Sequence, residues 1–236
     1  MTNDDPSGDP GTPDTSGSSG STDGDDGDED LPFPLSGTTL VVGPSNVGKT
    51  TLTARALERW VETHGPAGVV VLDFGPEIRR DGRLLGGRLS RFTALFDDLD
   101  QSRGASGAAA SGDRTTVRRS TDGRWLGLLD AHAPRAESAT EAEAVELAHE
   151  NARGASRLLD RAPSAPRAVF VNDATIALQH PTGDADRLLA YCADAAVAVV
   201  NAFESDELGT DDPVSRAETR ALETLVEGAD RIVRLP

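Results

Sequence analysis

From residue 39 to residue 53 the chain reads Thr-Leu-Val-Val-Gly-Pro-Ser-Asn-Val-Gly-Lys-Thr-Thr-Leu-Thr, and no other stretch limits its possible folds as much. The apolar run from Thr39 to Val42 has the length and β-branched content of a buried strand. A helical pattern begins at Lys49, with Leu52, Ala56, Leu57, Trp60 and Val61 on one face. Between them stands Gly43, then four residues, then Gly48, Lys49 and Thr50. Glycines at these places let a backbone approach an anion closely. The amides of Ser45 to Thr50 then point inward as a nest at the positive end of the helix dipole. Lys49 adds an ammonium, and Thr50 adds a hydroxyl suited to a hard cation.

Lys49 is the only lysine in the chain; the other 22 of its 23 Lys and Arg residues are arginine. A compact, rotatable charge is thus kept at the one position where a planar guanidinium would not serve equally. Strand, glycine-rich loop and helix in this order resemble the Walker A motif of the P-loop NTPases. The resemblance implies that Gly43, Pro44, Ser45, Asn46, Val47, Gly48, Lys49, Thr50 and Thr51 bind the nucleotide. It also implies that Lys49 reaches the β- and γ-phosphates as a catalytic group and that Thr50 is a Mg²⁺ ligand. The fold it implies is an α/β three-layer sandwich with a mainly parallel sheet.

The remaining pattern agrees. Thr63-His-Gly-Pro66 ends the first helix, and Gly68 to Asp73 is a short buried strand ending in a carboxylate. Residues 90 to 100 look helical, and Gln101 to Ser120 is rich in Gly, Ala and Ser, as in a flexible loop. Arg124 to Leu129 is a candidate strand with Trp125 as its packing anchor. A long helix is expected over Thr140 to Asp160, opened by a capping box of Thr140 and Glu143. Further strands are expected at 168–173, 195–201 and 231–235. Helices are expected at 184–193 and from Asp212 to Glu227, the latter with a second capping box at Ser215 and Glu218 and a C-cap glycine at Gly228. Strands alternating with helices predict an open parallel sheet covered on both faces.

A phosphate loop needs a carboxylate at the end of another buried strand. Ala168-Val-Phe-Val-Asn-Asp173 has this form and resembles Walker B, which makes Asp173 the second Mg²⁺ residue and Asn172 a supporting or turn residue. Many motor-type ATPases carry a glutamate directly after that aspartate; here Ala174 follows. A catalytic base is therefore sought elsewhere, and Asp73 and Glu77 are the candidates, since RecA-like ATPases place a glutamate similarly. Asn201, ending another apolar strand, is a candidate γ-phosphate sensor. The string Pro-Ser-Asn-Val-Gly-Lys-Thr also looks like the first motif of some translation-type GTPases. Those read guanine with an Asn-Lys-x-Asp motif, which a chain with one lysine cannot contain, so ATP is the expected nucleotide. Five arginines between residues 79 and 91 suit either a second anionic substrate or ion pairs with the many acids. The four histidines show no metal-ligand spacing.

Composition sets the outer limits. The formal charge is −17, and the first 30 residues hold ten acids and no base, which leaves −7 on the rest. That segment, with no apolar side chain after Met1, is expected to be a disordered acidic tail ahead of one domain over 31–236. Acid excess with scarce lysine fits a halophilic, haloarchaeal cytosol, although a GC-rich genome alone would explain the arginine bias. It argues against extensive nucleic-acid binding, which needs a basic surface. Cys192, the single cysteine, reads as a core residue. No apolar run nears membrane-span length and the N-terminus lacks signal-peptide character, so a cytoplasmic protein with no membrane partner is expected. The expected function is Mg²⁺-dependent ATP binding and hydrolysis. A kinase passing the γ-phosphate to a small molecule or a nucleic-acid 5′-hydroxyl is the first alternative. A nucleotide-dependent switch with negligible turnover is the second.

Overall fold

The computed structural model describes residues 31–80, 83–85, 87–97, 114–205 and 211–236. The acidic segment 1–30 and most of the expected loop, 101–113, lie outside the described residues. The strands are β1 (Gly37–Gly43), β2 (Val69–Asp73), β3 (Ile78–Arg80), β4 (Arg83–Leu85), β5 (Thr115–Arg119), β6 (Trp125–Leu129), β7 (Ala168–Asn172), β8 (Val197–Phe203) and β9 (Arg231–Arg234). The α-helices are α1 (Lys49–His64), α2 (Pro134–Glu137), α3 (Glu141–Arg161), α4 (Ala185–Ala193) and α5 (Pro213–Gly228). Single 3₁₀ turns occur at Leu89–Arg91, Ala94–Phe96 and Ala174–Leu178.

Seven strands form one sheet in the order β5-β6-β2-β7-β8-β1-β9. All neighbours run parallel except the edge pair β5 and β6. The inner strands are nearly unbroken apolar runs, as a sheet covered on both faces requires. Alternation along each strand divides the core. Leu40, Val42, Leu72, Val171 and Val200 face the side packed by α3, α4 and α5, through Leu158, Leu188 and Leu225. Val41, Val71, Phe170 and Val199 face the side packed by α1, through Leu57 and Trp60. The chain is therefore α/β, with helices on both faces of a mostly parallel sheet. Cys192 is buried in the first of these cores, where burial pushes its thiol up to about 12. No helix among the described residues is long and apolar enough to cross a membrane.

Four local expectations need correction. The loop expected over 101–120 stops short of residue 115, because Thr115–Arg119 pairs antiparallel with β6 and closes that edge of the sheet. Residues 89–96 form two separate 3₁₀ turns and not a helix; Asp97 is helical, and 98–100 lie outside the described residues. Thr93 is extended (φ −151°, ψ 140°) and its hydroxyl accepts from Leu95 N–H at 3.2 Å, a local bond that competes with helix continuation. The N-cap of α5 is Asp212, which accepts from Ser215 N–H at 2.9 Å; Ser215 already lies inside the helix. Gly228 is the last residue of α5 and not a left-handed cap. Packing accounts for it: a Cβ there would stand 2.5 Å from Leu189 Cδ1 of α4. At α3 the expected Thr140 cap forms, accepting from Glu143 N–H at 3.2 Å, while the Glu143 carboxylate reaches back to Ala139 N–H at 2.8 Å.

Candidate functional site

β1 ends at Gly43, and α1 starts six residues later with its N-terminus at the carboxyl edge of the sheet. Gly48 makes the turn at φ 96°, ψ 11°, a conformation that costs a residue with a Cβ. α1 has sixteen residues, so its first-turn amides and dipole present positive potential at this edge. Ser45, Asn46, Gly48, Lys49, Thr50 and Thr51 line one crevice here, of about 360 Å³. Gly87, Phe92, Asp173 and Phe203 line its other sides. Lys49 Nζ donates to the Gly43 carbonyl at 2.8 Å and to the Pro44 carbonyl, and stands 5.9 Å from the Phe203 ring centre. Val47 packs inward, its Cγ2 3.2 Å from where a Cβ on Gly43 would lie.

The neighbouring strand ends are polar and buried. In register, Asp73 of β2 lies opposite Asn172 of β7, and Asn201 sits on β8 between β7 and β1. Asn172 uses every bonding site of its amide. Its Nδ2 donates to Asp73 Oδ1 at 2.7 Å and to the Gly87 carbonyl at 2.8 Å. Its Oδ1 accepts from Thr50 Oγ1 at 3.1 Å and from Asn201 Nδ2 at 3.0 Å. These four bonds fix which way the amide faces. They also hold the Thr50 hydroxyl proton on Asn172, which leaves the oxygen lone pairs turned away from it.

Asp173 comes one residue after the strand, in the left-handed region (φ 57°, ψ 51°), with its N–H donated to Asn201 Oδ1 at 2.8 Å. Asn46 (φ 64°) is the other non-glycine residue with positive φ among those described, and both line the crevice. Backbone strain in ordered structure concentrates where a side chain must be aimed. Burial raises the Asp173 carboxyl above its ordinary range, while the Lys49 ammonium pulls it back down.

The two expected base candidates are placed differently. Asp73 is 1% exposed and lies behind Asn172, outside the crevice lining. It accepts from Leu89 N–H at 2.7 Å and Gly75 N–H at 3.2 Å as well as from Asn172. Burial pushes its carboxyl up to about 6 against those bonds. Asp73 thus ties the segment after β2 to β7 and is not offered to a ligand. Glu77 is exposed and stands 3.8 Å from Arg88, which also lies 3.6 Å from Asp130. Side chains 78–86 lie outside the described residues, so of the arginine run only Arg88 and Arg91 are placed. Gly87, Phe92 and Phe203 were not singled out in the sequence; an exposed Phe92 has no periodic signature. Among the described residues no group of three or more His, Cys, Asp or Glu is placed to hold a metal ion.

No protein-family model matches the chain, and no curated protein matches it.

Proposed function

We propose that the crevice binds ATP with Mg²⁺ and hydrolyses it, as a small P-loop NTPase. One observation carries this reading: the N-terminus of α1, Lys49, Thr50 and Asp173 all open on the same crevice. The donor set fits the group. First-turn amides and an ammonium suit phosphate oxygens, and a hydroxyl whose proton is given to Asn172 suits a hard cation. Mg²⁺, held through Thr50, would neutralise charge on the β- and γ-oxygens.

The chain's own groups do the rest. The amides of 45–50 bind and orient the phosphates. Lys49 leaves the Gly43 and Pro44 carbonyls for the developing charge on the transferred group. Asp173, the carboxylate among the described residues that lines the crevice, holds and orients the attacking water and accepts its proton. Phe92 and Phe203 limit bulk water around that position. This assignment moves Asp173 from metal holding to water orientation and leaves Asp73 and Glu77 outside the chemistry.

A switch with negligible turnover is the second reading. An amide, Asn172, stands beside Thr50 at the strand end, so the cation would meet less negative charge there than a carboxylate gives. Product analysis in molar KCl separates the readings. Phosphate release without acceptor supports hydrolysis, tight ATP binding without product supports the switch, and a phosphorylated acceptor supports a kinase. Absence of ATP binding overturns all three.

A further inference from the structure

Two histidines that the sequence separates by 31 positions meet on the surface away from the crevice lining. His149 lies in the middle of α3. His180 follows the Ala174–Leu178 turn, and Thr182 lies in the bend that leads to the α4 cap at Asp184. Their donor atoms converge. His149 Nδ1 and His180 Nδ1 are 3.3 Å apart. Thr182 Oγ1 is 2.8 Å from the His180 nitrogen and 3.3 Å from the His149 nitrogen. The ring centres lie 4.5 Å apart and the rings cross edge to face at 64°.

We propose that His149, His180 and Thr182 form a binding site for a divalent transition-metal ion of the zinc class. A Zn–N distance of about 2.0–2.1 Å sets a tetrahedral ligand-to-ligand edge of about 3.3–3.4 Å. The two imidazole nitrogens already stand at that separation. Imidazole pairs select zinc, copper and nickel over magnesium and calcium, which prefer oxygen. The ligand must be a neutral ring, so binding is expected to weaken as pH falls. Glu146, one turn before His149 on α3, supplies the opposing negative potential at His180, which favours a cation there. The ring that carries its proton on Nδ1 shifts it to Nε2, so a neutral pair binds without net proton loss. The Thr182 N–H, now 3.2 Å from His180 Nδ1, gives up that lone pair to the ion. Thr182 Oγ1 is the third, weaker donor, and water completes the shell. Bound metal would fasten α3 to the connection between β7 and α4, the same connection that begins at Asp173.

The test uses the full chain in molar KCl without nucleotide, with Zn²⁺ alone followed by calorimetry and Co²⁺ alone followed by its visible absorption. One strong site is expected, lost in His149→Ala and in His180→Gln. Thr182→Ala should weaken it about 10-fold, within the range for outer or weak ligands. Zn²⁺ should raise the melting temperature of the wild type by several degrees and leave the double variant His149→Ala with His180→Gln unmoved. Equal binding by wild type and the double variant would mean that the acidic surface takes up the ion, and would overturn the proposal. No binding by the wild type would leave an ordinary His–His hydrogen bond and overturn it equally.

Discussion

Thr50 Oγ1 donates to Asn172 Oδ1 across 3.1 Å, and the other side of that amide donates to Asp73 at 2.7 Å. An amide suits this place because it must accept on one side and donate on the other. A carboxylate at 172 could accept from Thr50 but would face Asp73 and the Gly87 carbonyl with no proton to give. Asn172 therefore lets the Thr50 hydroxyl and a buried carboxylate share one mediator.

Asn172→Asp is expected to destabilise the fold. It sets two carboxylates at hydrogen-bond distance in a buried setting and removes two donors. Leaving buried acceptors unmatched costs roughly 1–3 kcal/mol. Urea unfolding near neutral pH should show that loss, and acidification should relieve part of it as the pair comes to share a proton. A variant as stable as the wild type would mean that the amide's orientation is not used.

Lys49→Ala should lower affinity for ATP·Mg²⁺ by roughly tenfold to a hundredfold, since charge-assisted bonds are worth about 1.5–3 kcal/mol. Lys49→Arg should lose less affinity but more turnover, because a planar fork cannot follow a moving charge as an ammonium does. Calorimetry and phosphate release on the same samples check both. Unchanged affinity in Lys49→Ala would remove the nucleotide from this crevice.

Much of this site was legible in the sequence, because it is local. The glycine-rich loop, the strand before it and the helix after it follow from fifteen consecutive residues. Parallel strands were legible from apolar runs separated by helical periods. Which of two adjacent strand-end residues meets Thr50 was not. β7 ends at Asn172, whose amide meets Thr50, while Asp173 follows in the left-handed region and lines the same crevice, a turn that the apolar run before it does not announce. The role of Asp73 was hidden for a related reason: its backbone partners Gly75 and Leu89 come from the segment after β2, whose path has no period to read. Gly228 looks like a cap because glycine often is one, whereas here it closes the helix against Leu189, whose Cδ1 a Cβ would meet at 2.5 Å. The His149–His180 pair depends on two crossovers meeting, which spacing along the chain does not reveal.

Asp173→Asn should separate metal holding from water orientation. If Asp173 orients the water, ATP·Mg²⁺ affinity stays within a few-fold while phosphate release falls about 10²- to 10⁴-fold, the usual worth of a general base. If affinity and its Mg²⁺ dependence collapse together, Asp173 belongs to the metal shell and the water must be oriented by another group. Rapid-quench turnover beside equilibrium binding distinguishes the two outcomes.

Asp73→Asn should change how stability depends on pH and leave the chemistry largely alone. The Asp73 carboxyl ordinarily titrates at 3.8, and burial holds it at about 6 in the folded chain. Between these values the folded chain keeps a proton that the unfolded chain has already released. The contribution of protonated Asp73 is thus whole below about pH 4 and is lost as pH rises through about 6. Each tenfold difference in proton affinity between the folded and unfolded chain is worth about 1.4 kcal/mol, so the stability difference between wild type and variant should move by up to about 3 kcal/mol across that window. The wild type gains relative to the variant on the acid side. Parallel urea-derived stability profiles from pH 4 to pH 8 would show that Asp73 is ionised in the fold throughout and would sink the prediction. Phosphate release by Asp73→Asn should fall by much less than the factor of about 10²–10⁴ that loss of a base would bring, because this carboxylate bonds to Asn172 and to the amides of Gly75 and Leu89 and does not line the crevice.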